Sequence, residues 1–213
     1  MKSLTYILLL TLGLGWLGCG SSDGIDSSQK ERIEELGQLP RTTFNQGGVS
    51  FSIAELPELK MVHPDSVGWA SYMAQTEDNG TIGYYFIKGY DLQLASPQIR
   101  IEYINKALPD CGSVEELFNW LKGVFVNDER QATVLNEGQT IATTDGQIVE
   151  LLELRQPQLS LNDSLARSSK TMAYAYIDQG ERFVALNFTA TEDDAYDEGL
   201  PLFKDMILSY RKE

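Results

Sequence analysis

The sequence predicts an α+β fold in which antiparallel hairpins carry amphipathic helices. Short runs that alternate apolar and polar residues, such as residues 49–53, are typical of strands with one buried face. Residues 113–126 instead repeat their apolar positions at helical spacing. Residues 147–154 and 183–188 are apolar at most positions, so we expect the strands that they form to be covered on both faces.

Residues 1–18 are predicted to be a secretory signal. Lys2 supplies a positive charge, and the uncharged apolar run over residues 4–17 is shorter than the roughly 20 residues that span a bilayer. The run ends in Trp16-Leu17-Gly18-Cys19, which resembles the bacterial lipoprotein signal, where a small residue precedes a lipid-bearing cysteine. There are two alternatives. One is an ordinary secretory signal in which the cysteine occurs by chance, and the other is a short transmembrane anchor.

The resemblance implies that Cys19 carries two or three acyl chains, such as palmitate. A single chain attaches only marginally, at about 0.8 kcal/mol per buried CH₂, so several chains should hold the protein on a membrane. Position 20 is Gly rather than Asp, which resembles an outer-membrane address. We therefore expect a lipid-anchored protein on the cell membrane or the outer membrane, facing the periplasm or the cell exterior.

The composition limits the partners of the chain. Among its 213 residues, 31 are acidic and 17 are basic, and removal of the signal with Lys2 would make the net charge about −15. This large negative net charge argues against binding to nucleic acid and to anionic lipid headgroups. About 195 residues would remain after processing, which is enough for one domain with a hydrophobic core.

A flexible tether is predicted between the lipid site and the first strand, over residues 19–48. It opens with Gly, Ser and Asp residues, and Ile33 and Leu36 are the only strong apolar pair in the charged run over residues 29–39. We expect a short helix of low order there. The globular domain is expected over residues 49–213.

Three further strands and one helix are predicted in the first half of this domain. The strands are expected at residues 68–73, 83–87 and 99–103. Glu77-Asp78-Asn79-Gly80 should form the turn between the first two, because Asn-Gly tolerates the positive φ of tight hairpins. Ser113 and Glu116 have the spacing of a capping box, which should begin the helix.

The second half is predicted to contain strands followed by a closing helix. The strands are expected at residues 133–136, 139–143, 147–154, 170–178 and 181–189, with turns at Thr144-Asp145-Gly146 and Gln179-Gly180. The helix is expected to begin at Gly199-Leu200-Pro201, because proline loses no needed donor in a first turn. Its inner face would carry Leu200, Phe203, Ile207 and Tyr210, and its C-terminal half Lys204, Arg211 and Lys212.

This order of elements resembles the PsbP-like domain family, which includes DcrB-type envelope proteins and several bacterial lipoproteins. The resemblance covers residues 49–213 and is carried by residues 49–53, 113–125, 144–150, 174–188 and 202–210. It implies an antiparallel sheet with helices packed on its faces, an α/β/α sandwich. It also implies an accessory role in binding other proteins or membrane complexes, and it supplies no catalytic residue.

Few residues suggest reaction chemistry. The one histidine stands in His63-Pro64-Asp65-Ser66, which an exposed turn explains better than a catalytic triad. The acidic run at residues 192–198 lacks the spacing of a calcium loop and suits a helix N-terminus. Cys111 precedes a helix, which can activate a thiol, although half-buried packing is the stronger interpretation. We predict no catalytic residue, metal site or cofactor.

Two functions stay open at this point. The first is a non-enzymatic, lipid-anchored envelope protein that docks on another envelope protein. The second is a carrier of a small ligand or lipid, or a hydrolase, with a pocket between the sheet and a helix. Aromatic residues such as Tyr174 and Tyr176 motivate the second, as does Tyr84-Tyr85-Phe86, which would expose one ring unless both faces of the sheet are covered.

Overall fold

The computed structural model describes residues 27–66, 78–90, 97–107, 112–126, 131–157 and 169–213. Its elements are α1 (Ser27–Leu36), β1 (Arg41–Gln46), β2 (Val49–Ala54), β3 (Leu59–Val62), a 3₁₀ turn (Pro64–Ser66), β4 (Asn79–Ile87), β5 (Gln98–Asn105), α2 (Val114–Phe125), β6 (Thr133–Ala142), β7 (Ile148–Gln156), β8 (Lys170–Asp178), β9 (Arg182–Ala190), α3 (Asp193–Ser209) and β10 (Arg211–Lys212). None of the helices in these ranges is long and apolar enough to span a bilayer.

The strands form two antiparallel sheets, which confirms the predicted α+β class. The large sheet has seven strands in the order β3-β4-β5-β9-β8-β7-β6, and the small sheet has three in the order β1-β2-β10. The hairpin of β8 and β9 turns at Gly180 as predicted, where a φ of +100° favours glycine. Strand β9 lies at the centre of the large sheet, and all but its first and eighth residues are buried.

Helices cover both faces of the large sheet, as the sandwich requires. On one face lie α3, α1 and the small sheet, and their shared core includes Ile101, Leu186 and Phe203. On the other face, α2 packs Leu117, Phe118 and Leu121 against β7, β8 and β9. The apolar stretch of β7, predicted to be covered on both sides, accordingly buries Leu151 in the first core and Leu152 in the second.

Helix α2 begins at the predicted capping box. The Ser113 hydroxyl accepts from the Glu116 N–H at 3.2 Å, and the Glu116 carboxylate accepts from the Ser113 N–H at 3.0 Å. Each bond satisfies a backbone N–H group that has no acceptor within the helix. Such a cap stabilises the folded protein by about 1 kcal/mol. The cap sets where α2 starts and therefore which of its side chains face the sheet.

The predicted tether is wrong for residues 27–48, which are folded onto the domain. Helix α1 buries Leu36 against α3, and β1 pairs with β2 from Arg41 to Gln46. Phe44 of β1 stacks on Phe51 at 5.1 Å, and Phe51 stacks on Tyr210 at 5.2 Å. These apolar contacts order the segment together with the ion pair between Arg32 and Asp205. Cys19 and the rest of residues 1–26 lie outside the described residues.

The predicted turn at Asn79 and Gly80 is wrong, because both residues lie within β4. Their Cα partners are Ile104 and Tyr103 of β5. A Cβ on Gly80 would lie 2.6 Å from the Tyr103 hydroxyl, so glycine serves the close approach of this ring rather than a hairpin. The partner of β4 on its other side is β3, which the sequence did not predict. The predicted strand at 68–73 falls outside the described residues.

Helix α3 begins at Asp193 and not at Gly199, and Pro201 lies inside it. An interior proline costs about 3 kcal/mol, but the helix buries Tyr196 before the proline and Phe203, Met206 and Ile207 after it. The helix also ends before the two basic residues expected in it, because Arg211 and Lys212 form β10 beside β2.

Strand β6 is one strand where two were predicted. Register shifts at residues 134–136 and 137–139 interrupt its pairing with β7, and Gly138 has a φ of +83° at the second shift. The bulges absorb the irregular pattern that suggested a break.

Candidate functional site

A cleft of about 430 Å³ opens between the large sheet and α2. Helix α2 contributes four described side chains, which are Leu117, Trp120, Leu121 and Phe125. The sheet contributes residues from the four neighbouring strands β4, β5, β9 and β8, among them Arg100, Glu102, Tyr174, Tyr176 and Asn187. The cleft lies in the position where the second hypothesis expected a pocket.

Two cross-strand rows form the floor of the cleft. In the first row, Arg100 of β5 is the Cα partner of Asn187 of β9, which is in turn the partner of Tyr174 of β8. In the second row, the corresponding residues are Glu102, Ala185 and Tyr176. Side chains in such rows are direct neighbours on one face of the sheet. Ala185 has only a methyl group, so the middle of the second row stays low between two longer side chains.

A polar cluster lies on this floor. Arg100 Nε is 3.0 Å from Glu102 Oε2, and the side-chain amide of Asn187 donates to the same oxygen at 2.6 Å. The side chains of Arg100 and Glu102 are 29% and 15% exposed, so water shields their charges poorly. Asn187 Oδ1 is buried and has no hydrogen-bond partner among the residues that the structure describes. The amide oxygen is thus shielded from solvent, and the accessible polar groups of the floor are the partly exposed side chains of Arg100 and Glu102.

Burial also changes the titration of the cluster. Desolvation raises the pKa of Glu102 above its ordinary value of 4.5, because it disfavours the charged carboxylate. The charge of Arg100 and the hydrogen bond from Asn187 lower the pKa and offset part of this effect. Glu102 is thus held in its position by groups that favour its ionised form.

Aromatic side chains form the walls. The Trp120 side chain of α2 is 55% exposed, although its neighbours Leu117 and Leu121 are buried. Phe125 lies 6.3 Å from Tyr174 between ring centroids, and Phe118 lies 5.6 Å from Tyr176. These pairs hold the two tyrosines against α2. The cleft therefore has a polar floor, packed aromatic walls and one solvent-exposed indole, that of Trp120.

The described lining of the cleft contains no serine, cysteine or histidine side chain that could act as a nucleophile with a base. His63 lies elsewhere, immediately before the 3₁₀ turn, with its Nδ1 3.3 Å from an Asp65 carboxylate oxygen. Its side chain is half exposed, as an exposed turn requires, while Cys111 falls outside the described residues.

The acidic run has structural partners. Asp193 accepts from the Arg155 guanidinium at 3.1 Å, and Glu198 accepts from the Tyr90 hydroxyl at 2.8 Å. Asp193 and Asp194 lie in the first turn of α3, where the helix dipole favours negative charge. Within the described ranges, no three His, Cys, Asp or Glu side chains are grouped so that they could hold a metal ion.

None of the four cleft residues Arg100, Glu102, Asn187 and Trp120 was predicted from the sequence to belong to a functional site. Arg100 and Glu102 alternate with the apolar residues of β5, which usually indicates an exposed face. Both faces of this sheet were nevertheless expected to be covered. Charged residues on a covered face are unusual, and this pattern could have indicated the site. All three residues of Tyr84-Tyr85-Phe86 are buried, as expected if both faces of the sheet are covered.

Comparison with known proteins gives a likeness of fold. No known protein family and no curated protein matches the chain. Among solved structures, the cyanobacterial PsbP protein CyanoP of Synechocystis is similar with a TM-score of 0.48 and 15% identity over 92% of this chain and 99% of its own. The Ran-binding protein Mog1p of Saccharomyces cerevisiae has a TM-score of 0.45 and 9% identity over 82% and 96%. These similarities assign no activity.

Proposed function

We propose that this chain is a lipid-anchored binding protein of the bacterial envelope, which holds a small ligand in the cleft between the sheet and α2 without catalysing a reaction. The observation that carries the proposal is the polar cluster of Arg100, Glu102 and Asn187 on the floor of a cleft with aromatic walls. A volume of about 430 Å³ falls within the range of roughly 300–1,000 Å³ that is usual for small-molecule sites.

The cost of the polar cluster supports a binding role. A buried ion pair is often no more stabilising than apolar residues of the same size, because both charges must leave water. Asn187 Oδ1, which is buried without a partner among the described residues, adds a further penalty. A ligand that bonds to the partly exposed side chains of Arg100 and Glu102 would offset part of this cost, which gives the cluster a purpose that packing alone does not.

The folded N-terminal segment limits how far the body can stand from a lipid on Cys19. Eight peptide units separate Cys19 from Ser27, where α1 begins, and they span at most about 29 Å when fully extended. A tether as far as residue 48 would have reached about 100 Å. With α1 docked, the proposed anchor keeps the start of α1 close to the membrane surface, and the cleft lies on the opposite face of the large sheet.

Mass spectrometry of the mature protein tests the anchor. Protein isolated from membranes should begin at Cys19 and carry the mass of two or three acyl chains, and the variant Cys19→Ala should carry none. An unprocessed chain with Met1 and a free Cys19 thiol would contradict the proposed anchor and its location.

Native mass spectrometry tests the cleft. The wild-type protein is incubated with a small-molecule extract of the envelope of its own cells, and a discrete bound mass is expected. The variant Asn187→Leu, which replaces the amide by an apolar group of similar size, should lose this mass. Ile148→Ala removes an exposed apolar side chain from β7, away from the described lining, and should keep it. A bound mass that survives Asn187→Leu would contradict the assignment to the cleft.

Docking on another envelope protein is the second candidate, and the exposed indole of Trp120 favours it. Crosslinking in intact cells should then recover one reproducible partner from the wild-type protein and much less from Trp120→Ala. The Ile148→Ala variant is again the control, because Ile148 is 58% exposed and Trp120 55%. Equal recovery from all three proteins would contradict a docking role for Trp120.

A further inference from the structure

We infer that the ligand of the cleft is a neutral saccharide, which stacks one face on Trp120 and bonds through its hydroxyl groups to the Asn187–Glu102–Arg100 cluster. This inference rests on the proposed function, because it names the class of ligand that the same cleft would take. Three properties of the site lead to it, which are its charge balance, its hydrogen-bonding groups and its exposed aromatic surface.

The charge balance favours an uncharged ligand. Arg100 and Glu102 lie 3.0 Å apart and compensate each other, so the floor offers no net charge to a ligand. A phosphate or a carboxylate would have to compete with Glu102 for Arg100, and an ammonium group would have to compete with Arg100 for Glu102. The whole chain carries a net charge of −14, which further disfavours the approach of anions.

The hydrogen-bonding groups favour a ligand that both donates and accepts. The Glu102 carboxylate can only accept, and it would take a donor from the ligand. A guanidinium can only donate, and it would use an acceptor on the ligand. A hydroxyl group does both, and several hydroxyls on one ring can serve several groups at once. An acyl chain would offer neither a donor nor an acceptor and would press hydrocarbon against an ion pair, which is unfavourable.

The aromatic surface favours a ligand with one apolar face. The indole of Trp120 is the large exposed apolar group on the described lining of the cleft. The face of an aromatic ring carries partial negative charge, which attracts the slightly positive C–H groups of a sugar ring. A pyranose presents such C–H groups on one face and its hydroxyls around the rim. This arrangement matches an indole beside a polar floor.

Calorimetric titration with defined probes tests the inference. The probes are chitotriose, cellotriose and maltotriose, with hexanoate and choline as charged, non-saccharide probes. The full mature chain is used in lauryldimethylamine oxide, because a maltoside detergent would itself supply sugar. The fluorine signals of 5-fluorotryptophan, with Trp120 assigned from Trp120→Phe, report whether the probe reaches the cleft.

At least one trisaccharide should bind and shift the Trp120 signal. Trp120→Ala and Asn187→Leu should each weaken binding about tenfold, which is the loss expected for one aromatic contact or one buried hydrogen bond. Glu102→Gln should weaken it as well. The matched controls Ile148→Ala and Glu150→Gln, on exposed positions of β7, should stay within about twofold of the wild type. Because Trp120 is exposed, its alanine variant keeps the test valid even if a floor variant fails to fold.

Each other outcome overturns the inference in a distinguishable way. If hexanoate or choline binds and requires Trp120 and Asn187 while no trisaccharide does, the saccharide inference is wrong and the cleft is still a binding site. If a trisaccharide binds equally to all variants, its site lies elsewhere and the inference is wrong. If no probe binds and the envelope extract also leaves no bound mass, the inference and the proposed function both fail.

Discussion

Arg32 of α1 and Asp205 of α3 form a two-point ion pair between segments 173 residues apart in the sequence. The guanidinium donates from Nε to Oδ1 at 3.1 Å and from its terminal nitrogen to Oδ2 at 2.6 Å. Such a planar contact fixes direction as well as distance. Together with the burial of Leu36, it fastens the segment that follows the predicted lipid site to the closing helix.

Loss of this ion pair should loosen α1. The Arg32 side chain is 43% exposed, so solvent weakens the pair, and we expect Asp205→Ala to reduce the free energy of local unfolding by about 1 kcal/mol. Amide hydrogens in residues 27–36 should then exchange about fivefold faster. Glu35→Ala is the control, because it removes only the exposed pair within α1 and should change exchange little. Unchanged exchange in Asp205→Ala would show that apolar contacts alone hold α1.

Two helical glycines should respond to alanine with opposite sign. A Cβ on Gly199 of α3 would lie 2.3 Å from Phe188 Cζ and 2.7 Å from Ile87 Cδ1, whereas a Cβ on Gly123 of α2 meets nothing within 4 Å. Gly199→Ala should therefore destabilise the protein by about 1–3 kcal/mol through overpacking. Gly123→Ala should stabilise it by up to about 1 kcal/mol through helix propensity. Urea unfolding measures both, and the same sign for both would contradict the close packing of α3 on the sheet.

Asp145 should stabilise the fold in its ionised form. Desolvation would raise the pKa of its carboxyl, but hydrogen bonds from the Thr143 hydroxyl, the Lys212 N–H and Gln147 outweigh it and hold the pKa below 3.8. The Lys212 N–H donates to Oδ2 at 2.9 Å and so joins β10 to the turn between β6 and β7.

A carboxyl with a lowered pKa contributes stability above its unfolded value of 3.8, and this stability disappears as the pH falls through the folded value. Asp145→Asn should therefore lower the free energy of unfolding by about 1 kcal/mol at pH 7, since the site is exposed. Denaturation curves at several pH values should show the difference from wild type shrinking below about pH 3.8. A difference that stays constant into strong acid would mean that the charge of Asp145 plays no part.

Glu102 should give a pH dependence of the opposite sign. Because desolvation raises its pKa above 4.5, folding favours the protonated acid, and the wild-type protein should lose stability as the pH rises from 4.5 to the folded value. Glu102→Gln lacks this titration, so its free energy of unfolding relative to wild type should rise over the same interval. Chemical denaturation between pH 4 and 8 measures this, with Glu150→Gln as the exposed control. A parallel pair of curves for wild type and Glu102→Gln would contradict the buried position of Glu102.

Local signals in the sequence predicted local structure well. The capping box of Ser113 and Glu116 and the turn at Gly180 each depend on a few consecutive residues, and both appear as expected. Gly80 is the exception, because the ring of Tyr103 on a neighbouring strand decides its role. A dipeptide that suits a turn carries no information about such a neighbour.

The parts that the sequence did not predict depend on distant contacts. The order of α1 rests on Asp205, and the start of α3 rests on burial of Tyr196 against Phe188, whose rings lie 5.3 Å apart. The cleft brings together α2 and four strands, so no single window of sequence contains it. Its floor consists of polar residues on a covered face of the sheet, and this conflict between charge and burial was the signal that the sequence did offer.

Crystallographic fragment soaking tests the central claim most directly, since it asks whether the cleft takes up small molecules. Bound fragments should concentrate in the cleft, with a polar atom within hydrogen-bond distance of Glu102 or Arg100 and an apolar face on Trp120. A screen in which fragments bind elsewhere, and the space above Asn187 holds only water or the protein's own side chains, would contradict it.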